Sequence, residues 1–137
     1  MRSFFDTNVV VYLFDGDAPE KQVRARELLA REVGKGQAVL STQVLQEFYV
    51  TVTRKLTVPL SPDEALRALQ DLAELPLVQV DADLITGAAR RCARDQVSFW
   101  DGLILQAALR AGATVLYSED LQDGRTIEGL RIRNPFA

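Results

Sequence analysis

Short apolar segments alternate with longer amphipathic segments along most of the chain. The short segments have the length and the β-branched or aliphatic content of buried strands. Their positions predict strands at residues 3–5, 37–40, 77–80, 114–117 and 130–133. Because helical segments lie between most of these strands, the alternation predicts an α/β fold.

The longer segments have apolar residues at helical spacing. They predict helices over residues 19–33, 43–56, 61–75 and 99–111, and another that begins at Asp81 or Asp83. Ser61 and Glu64 have the spacing of a capping box at a helix start. The apolar stripe predicted for the second helix comprises Val44, Leu45, Phe48, Tyr49, Val52 and Leu56. Residues 118–129 are expected to form a polar loop.

The segment after Asp6 is open to two interpretations. The β-branched run at residues 9–11 favours one long strand, whereas the polar residues 6–8 favour a strand, a turn and then a helix. We adopt the second interpretation, with Thr7 or Asn8 as the residue that caps the helix.

Length and composition predict one compact domain over residues 1–137. At 47% hydrophobic residues, a chain of this length buries roughly two thirds of the surface that the unfolded chain exposes. The early apolar run at residues 9–14 is too short for a secretory signal, and no segment approaches a membrane span. Cys92 is the only cysteine, so no intramolecular disulfide forms, and a reducing cytoplasm is the expected location.

The absence of histidine narrows the possible chemistry. A Ser-His-Asp triad, a His/Cys zinc site and a histidine-based ribonuclease each need a side chain that the sequence lacks. Carboxylates, hydroxyl groups, Lys, Arg and a bound hard cation remain available for catalysis.

Four acidic residues occupy the positions that an α/β fold gives to a binding crevice. Asp6 and Asp120 come just after apolar strand segments, Glu47 lies on a helix outside its apolar stripe, and Asp101 is in the first turn of another helix. Ligands of α/β sheets bind beyond the carboxyl ends of the strands. The four carboxylates are therefore expected to converge as a divalent-metal site.

Taken singly, each acid also has an ordinary structural explanation. Glu47 could be an exposed glutamate, and Asp101 has the capping-box spacing to Ser98. Asp120 could open a turn, as could Asp123 before a glycine. The metal site is predicted from their joint placement.

The net charge of −3 argues against a surface built as a whole to attract nucleic acid. Most basic groups are interpreted as solvated helix faces. Arg54 and Lys55, seven and eight residues after Glu47, are the candidates for phosphate contacts. Trp100, beside Asp101, is expected to anchor the core.

Four motifs in order along the chain resemble those of PIN-domain ribonucleases of the VapC type, the toxins of VapBC toxin-antitoxin pairs. The resemblance covers essentially the whole chain, although Gly102 stands where the family usually has Ala and Ser118 where it often has Thr. The motifs are Asp6-Thr7-Asn8, Glu47 on its helix, Phe99-Trp100-Asp101-Gly102-Leu103-Ile104 and Ser118-Glu119-Asp120-Leu121.

The resemblance implies a three-layer α/β/α sandwich with a mainly parallel central sheet. It also implies a Mg²⁺ or Mn²⁺ site and endonucleolytic cleavage of RNA. The partners that it implies are an antitoxin and a second copy of the chain in a homodimer. By position, the metal ligands are Asp6, Glu47, Asp101 and Asp120, with Asp123 as a possible fifth and the hydroxyl groups of Thr7 and Ser118 as hydrogen-bond donors.

Two other classes fit an acidic pocket on an α/β sheet. A receiver module also binds Mg²⁺, but that family has a lysine after a late strand, and this chain has none beyond Lys55. A non-catalytic domain that retains only the fold is the second alternative. Turnover of RNA separates the nuclease from both.

Overall fold

The computed structural model describes residues 1–137. The strands are β1 (Arg2–Phe5), β2 (Ala38–Ser41), β3 (Leu77–Val78), β4 (Ala113–Tyr117), β5 (Thr126–Ile127) and β6 (Leu130–Arg133). The helices are α1 (Thr7–Val11), α2 (Pro19–Gly34), α3 (Thr42–Arg54), α4 (Pro62–Leu72), α5 (Ala82–Asp95) and α6 (Phe99–Arg110), and a short 3₁₀ turn (Tyr12–Phe14) follows α1.

The strands form one sheet in the order β3-β2-β1-β4-β6-β5. Every pairing is parallel except that of β5 with β6, and helices flank the sheet. The predicted α/β fold with a mainly parallel sheet is therefore confirmed. None of the helices combines the length and the apolarity that crossing a bilayer requires.

The strand order creates a crevice at the carboxyl end of β1. The chain moves from β1 to β2 and β3 on one side, and β4 and β6 lie on the other side. Such a reversal leaves a gap between the connecting segments at the strand ends. Phe5 pairs with Tyr117 at this edge, so the residues that follow them, Asp6 and Ser118, enter the crevice side by side.

Helix α6 is packed closely against α5, and Gly102 allows this approach. A Cβ atom at Gly102 would lie only 3.0 Å from the backbone oxygen of Ala88 and 3.5 Å from Sγ of Cys92. Gly102, which stands where the family that the sequence resembles usually has Ala, thus permits a short distance between α5 and α6.

The interpretation of residues 6–11 as a turn and a helix is confirmed, but the capping residue differs. Asp6 caps α1, and its side chain accepts a hydrogen bond from the backbone N–H of Thr7. Neither Thr7 nor Asn8 is the cap, because β1 ends at Phe5 and the helix begins immediately after Asp6.

Several element boundaries also differ from the predictions. β3 has only two residues, because the backbone N–H of Val80 donates a hydrogen bond to Oγ1 of Thr42, at 3.1 Å, instead of continuing the strand pairing. The loop at residues 118–129 contains the short strand β5, and α4 ends at Leu72. Tyr49 is 37% exposed, because the buried stripe of α3 is centred on residues 44, 48 and 52 and Tyr49 lies about 100° from it.

The prediction of a solvated helix face is wrong for Arg91. Its side chain is buried, donates to Oε1 of Gln106 at 2.9 Å, and forms salt bridges with Asp95 at 2.8 Å and Glu128 at 2.7 Å. Buried charges are tolerated when they are paired and hydrogen-bonded in this way. Arg91 therefore ties α5 to α6 and to the β5–β6 turn.

Candidate metal centre

The crevice at the carboxyl ends of the strands is a cleft of about 690 Å³. It is lined by side chains from the β1–α1 junction, α3, the start of α6 and the loop after β4. The carboxylates of Asp6, Glu47, Asp101 and Asp120 all line it. Four acids that are far apart in sequence are thus brought to one cleft, as their positions predicted.

Asp6 is the most deeply placed of the four and is only 6% exposed. Its Oδ1 accepts a hydrogen bond from the N–H of Thr7 at 2.7 Å, and its Oδ2 accepts one from Oγ of Ser118 at 2.8 Å. Burial raises the pKa of Asp6 to about 6, and the charges of Asp120 and Asp101 act in the same direction against these two hydrogen bonds. The two hydrogen bonds hold the carboxyl group in one orientation, and its burial disfavours the ionised form.

Glu47 reaches the cleft from the middle of α3, outside the buried stripe as predicted. Oγ1 of Thr7 donates a hydrogen bond to Oε1 of Glu47 at 2.7 Å. Thr7 therefore binds two of the acids, since its N–H contacts Asp6. This places the Glu47 carboxylate against the β1–α1 junction rather than in solvent.

Asp101 occupies the first turn of α6, where Oγ of Ser98 accepts the N–H of Asp101 at 3.0 Å. Ser98 is thus the helix cap, but the return bond from the Asp101 carboxylate to the N–H of Ser98 is not formed. Burial raises the pKa of Asp101, the Ser98 hydroxyl opposes this, and the charge of Asp120 adds to it. The carboxylate remains free to face the cleft.

Asp120 is held by a turn centred on Ser118, which is fully buried. Oγ of Ser118 accepts the N–H groups of Asp120 at 3.2 Å and Leu121 at 3.3 Å while donating to Asp6. The intervening Glu119 is bound by the hydroxyl of Tyr12 at 2.9 Å and by Nζ of Lys21 at 2.8 Å. Both ends of this turn are therefore fixed.

The donor set suits a hydrated Mg²⁺ ion. No three or more His, Cys, Asp or Glu side chains are arranged to ligate one ion directly. Mg²⁺ usually keeps several waters and binds only one or two carboxylates, so the remaining acids can act through its water ligands. The four hard oxygen donors of the cleft fit that pattern.

Two buried amides add to this fit. Nδ2 of Asn8 and Oε1 of Gln43 have no hydrogen-bond partner, and both residues line the cleft. Gln43 lies one helical turn before Glu47, and its Nε2 donates to the backbone oxygen of Trp100 at 3.3 Å. A buried polar atom without a partner is rare and costly, so these atoms indicate that the cleft is built for a polar ligand.

Only some of the other predicted site residues lie at the cleft. Thr7 and Lys55 line the cleft, and Ser118 lies beneath it, but Arg54 is outside it. Asp123 does not join the four acids: its Oδ1 accepts the N–H of Asn134 at 2.9 Å in a separate pocket.

Sequence reasoning gave no site role to several polar residues that line the cleft, and it misplaced one other residue. The polar residues include Asn8, Tyr12, Asp15, Gln43 and Gln46. The helical spacing of four residues between Gln43 and Glu47 could have indicated Gln43. Trp100 also lines the cleft and is 62% exposed, so the prediction that it anchors the core is wrong.

Comparison with known families identifies the fold. The model of the PIN domain family matches residues 3–123, a range that contains all four acids. The chain belongs to the PIN domain family. No curated protein sequence matches it significantly.

Solved structures similar to this PIN domain come from toxin-antitoxin systems. A toxin-antitoxin complex from Klebsiella pneumoniae has a TM-score of 0.72 at 20% identity, with 97% of each chain covered. The Mycobacterium tuberculosis toxin VapC20 has a TM-score of 0.70 at 25% identity, over 86% of this chain and 89% of that one. A DNA-bound VapBC complex from Salmonella typhimurium has a TM-score of 0.69 at 19% identity, with 98% of both chains covered. The resemblance to VapC-type PIN domains is confirmed.

Proposed function

We propose that this PIN domain is a Mg²⁺-dependent endoribonuclease and the toxin of a toxin-antitoxin pair. The observation that carries the proposal is the convergence of four carboxylates, from four separate parts of the chain, in one cleft at the strand ends. Two like charges at about 4 Å repel by about 4 kcal/mol at an effective dielectric constant of about 20. Such a cluster is stabilised by a cation and has no evident structural use without one.

Each acid has a distinct role in this proposal. Asp6, locked by Thr7 and Ser118, would hold the ion most rigidly, and Asp101 and Asp120 would bind it directly or through its water ligands. Glu47, oriented by Thr7, would bind a water molecule. A bound Mg²⁺ lowers the pKa of a water ligand and stabilises negative charge on a phosphodiester.

The substrate is held by groups outside the acid cluster. Lys55 lines the same cleft and would contact phosphate, which contributes affinity but little sequence preference. In-line attack by water leaves a 5′ phosphate and a 3′ hydroxyl, and needs no side-chain nucleophile. This agrees with a chain that contains no histidine.

The partners are inferred from the structural neighbours. Two of these are toxin-antitoxin assemblies, which favours an antitoxin partner for this chain. Action in a reducing cytoplasm is proposed from the single cysteine, and a homodimer from the family resemblance alone. VapC20 cleaves the sarcin-ricin loop, so a ribosomal RNA fragment with that loop is the first substrate to test.

The test is RNA cleavage by purified wild type, Asp6→Asn and Glu47→Gln, each with Mg²⁺ and with EDTA. We expect cleavage only by the wild type with Mg²⁺, and products with 5′ phosphate ends. Asp71→Asn, an exposed change on α4, is the matched control and should retain activity. Products with a 2′,3′ cyclic phosphate would refute the mechanism, and inactivity of the wild type on a broad RNA panel would favour a non-catalytic binding domain.

A further inference from the structure

Two groups of basic residues that are far apart in sequence meet in one surface pocket. Arg24 and Arg31 of α2 and Arg133 at the end of β6 line one pocket of about 430 Å³. Its other lining residues are Tyr117, Asp123, Asn134, Pro135 and Ala137. We call this pocket the arginine pocket. It has no part in the metal centre described above.

The geometry of the two elements brings the three arginines together. Arg24 and Arg31 are seven residues apart on α2, so they lie on one face of the helix with their Cα atoms about 10 Å apart. Arg133 pairs with Tyr117 across the sheet, and like Arg131 it is exposed, whereas Leu130 and Ile132 of the same strand are buried. The pocket is therefore formed by a helix face and a strand end, both of them rigid.

The three arginines outnumber the acidic side chains of the pocket, whose lining includes one acid, Asp123. Arg24 and Arg133 make no salt bridge. Arg31 lies 3.6 Å from Glu32, which is shared with Lys35 at 3.8 Å. Three guanidinium groups that line one pocket with a single acidic side chain leave a net positive charge that suits an anion.

The arginine pocket and the metal centre share no lining residue, but β4 and α2 connect them. Tyr117 lines the pocket, and the next residue, Ser118, donates to Asp6. On α2, Lys21 precedes Arg24 by one turn, and its Nζ lies 4.9 Å from the centre of the ring of Tyr12, which lines the cleft. A strand whose scissile phosphate lies at the acids would cross α2 to reach the arginines.

We propose that Arg24, Arg31 and Arg133 form a phosphate-binding subsite for the RNA strand outside the catalytic cleft. The subsite rests on the proposed function, because it takes its occupant to be the substrate. Guanidinium groups bind phosphate oxygens in a bidentate manner and position the strand without reading its sequence. They offset the repulsion that the acidic cleft exerts on the same strand.

The experiment measures binding separately from cleavage. Affinity for a short fluorescent single-stranded RNA is measured in EDTA between about 50 and 200 mM salt, for wild type and Arg31→Gln/Arg133→Gln. Arg24 is kept, because its Nε donates to the backbone oxygen of Pro135 at 3.0 Å. The control is Arg67→Gln/Arg90→Gln, which removes two exposed arginines on α4 and α5, and thermal unfolding checks that all variants are folded.

Loss of two phosphate contacts on a single strand should reduce the slope of log K against log salt by about 1.4. This corresponds to about 25-fold weaker binding at about 0.1 M salt. The control should bind as the wild type does.

Each other outcome overturns a defined part of the inference. If wild type binds and cleaves RNA but the pocket variant has the same affinity and salt slope as the control, the subsite is refuted and the nuclease stands. If polyglutamate competes for the pocket as well as RNA does, its occupant is an acidic protein segment and the RNA subsite is refuted. If the wild type neither binds nor cleaves RNA, the proposed function fails together with the subsite.

Discussion

The buried carboxylate of Asp6 predicts a specific pH dependence of stability in the absence of metal. Burial, assisted by the charges of Asp120 and Asp101, raises its pKa from 3.8 to about 6 against the hydrogen bonds from Ser118 and Thr7. A carboxyl group whose pKa is higher in the folded state binds its proton more tightly there than in the unfolded state. The protein is therefore expected to lose stability as the pH rises from about 4 to about 6.

The magnitude follows from the interval between the two pKa values. Each pH unit in that interval contributes about 1.4 kcal/mol, so the penalty reaches about 3 kcal/mol above pH 6. Asp6→Asn cannot ionise and escapes this penalty. Both oxygens of the Asp6 carboxyl group can accept the hydrogen bonds from Thr7 and Ser118, whether or not it is protonated, whereas the amide nitrogen of Asn cannot accept. The variant therefore loses about 1 kcal/mol at every pH.

The assay is urea denaturation of wild type and Asp6→Asn at a series of pH values between about 4 and 8, in EDTA. We expect the variant to be about 1 kcal/mol less stable near pH 4 and about 2 kcal/mol more stable near pH 7.5. A stability difference that is constant across this range, or that grows towards acid pH, would refute the account of Asp6.

Asp81→Asn provides a control in which the pH dependence of stability has the opposite sign. The hydrogen bond from Arg110, followed by that from the N–H of Leu84, lowers the pKa of Asp81. A lowered pKa contributes stability above the unfolded value and loses it as the pH falls. The variant should therefore be less stable than wild type at neutral pH, and the difference should disappear at acid pH.

Three further changes test the packing and the ion site. Gly102→Ala should destabilise the protein by about 1–2 kcal/mol in urea denaturation, because overpacking against α5 exceeds the gain in helix propensity. Gly34→Ala is the control: it should be neutral or stabilising, because no atom lies within 4 Å of the added Cβ. Arg91→Met should cost about 1–3 kcal/mol by the same measurement, since it removes the short salt bridges to Asp95 and Glu128 and leaves these acids only Arg94, at 3.8 and 3.5 Å. Mg²⁺ at about 100 times its Kd should stabilise wild type by about 2.7 kcal/mol near pH 7.5 and by less near pH 5, and an equal effect at both values would exclude the acids as its ligands.

The convergence of the acids could be predicted because it depends on local signals. Asp6 follows an apolar strand, Glu47 lies off the buried stripe of its helix, and Asp101 lies three residues after a capping serine. In a parallel sheet such positions share one edge. The fold and the common location of the acids then follow from the alternation of strands and helices.

The errors arise where a residue's environment is set by partners distant in sequence. Arg91 was expected in solvent, but Gln106 and Glu128, on other elements, surround it. Trp100 was expected in the core, but it lines the cleft, whose other walls come from distant parts of the chain. Asp123 was given as a possible fifth ligand from the family resemblance, but its Oδ1 accepts the N–H of Asn134, and Asp123 lines the arginine pocket.

The buried polar groups that cost the protein stability lie together at the cleft, and this supports a binding role for it. Elsewhere, buried polar groups are satisfied, as Arg91 is by its three partners. The only two buried side-chain atoms without hydrogen-bond partners, on Asn8 and Gln43, line the same cleft as Asp6, whose pKa is raised by burial. Each feature costs stability, and selection for stability alone would remove them or scatter them over the molecule. Because a polar or charged ligand in the cleft would offset all of them at once, their coincidence is explained by binding rather than by folding.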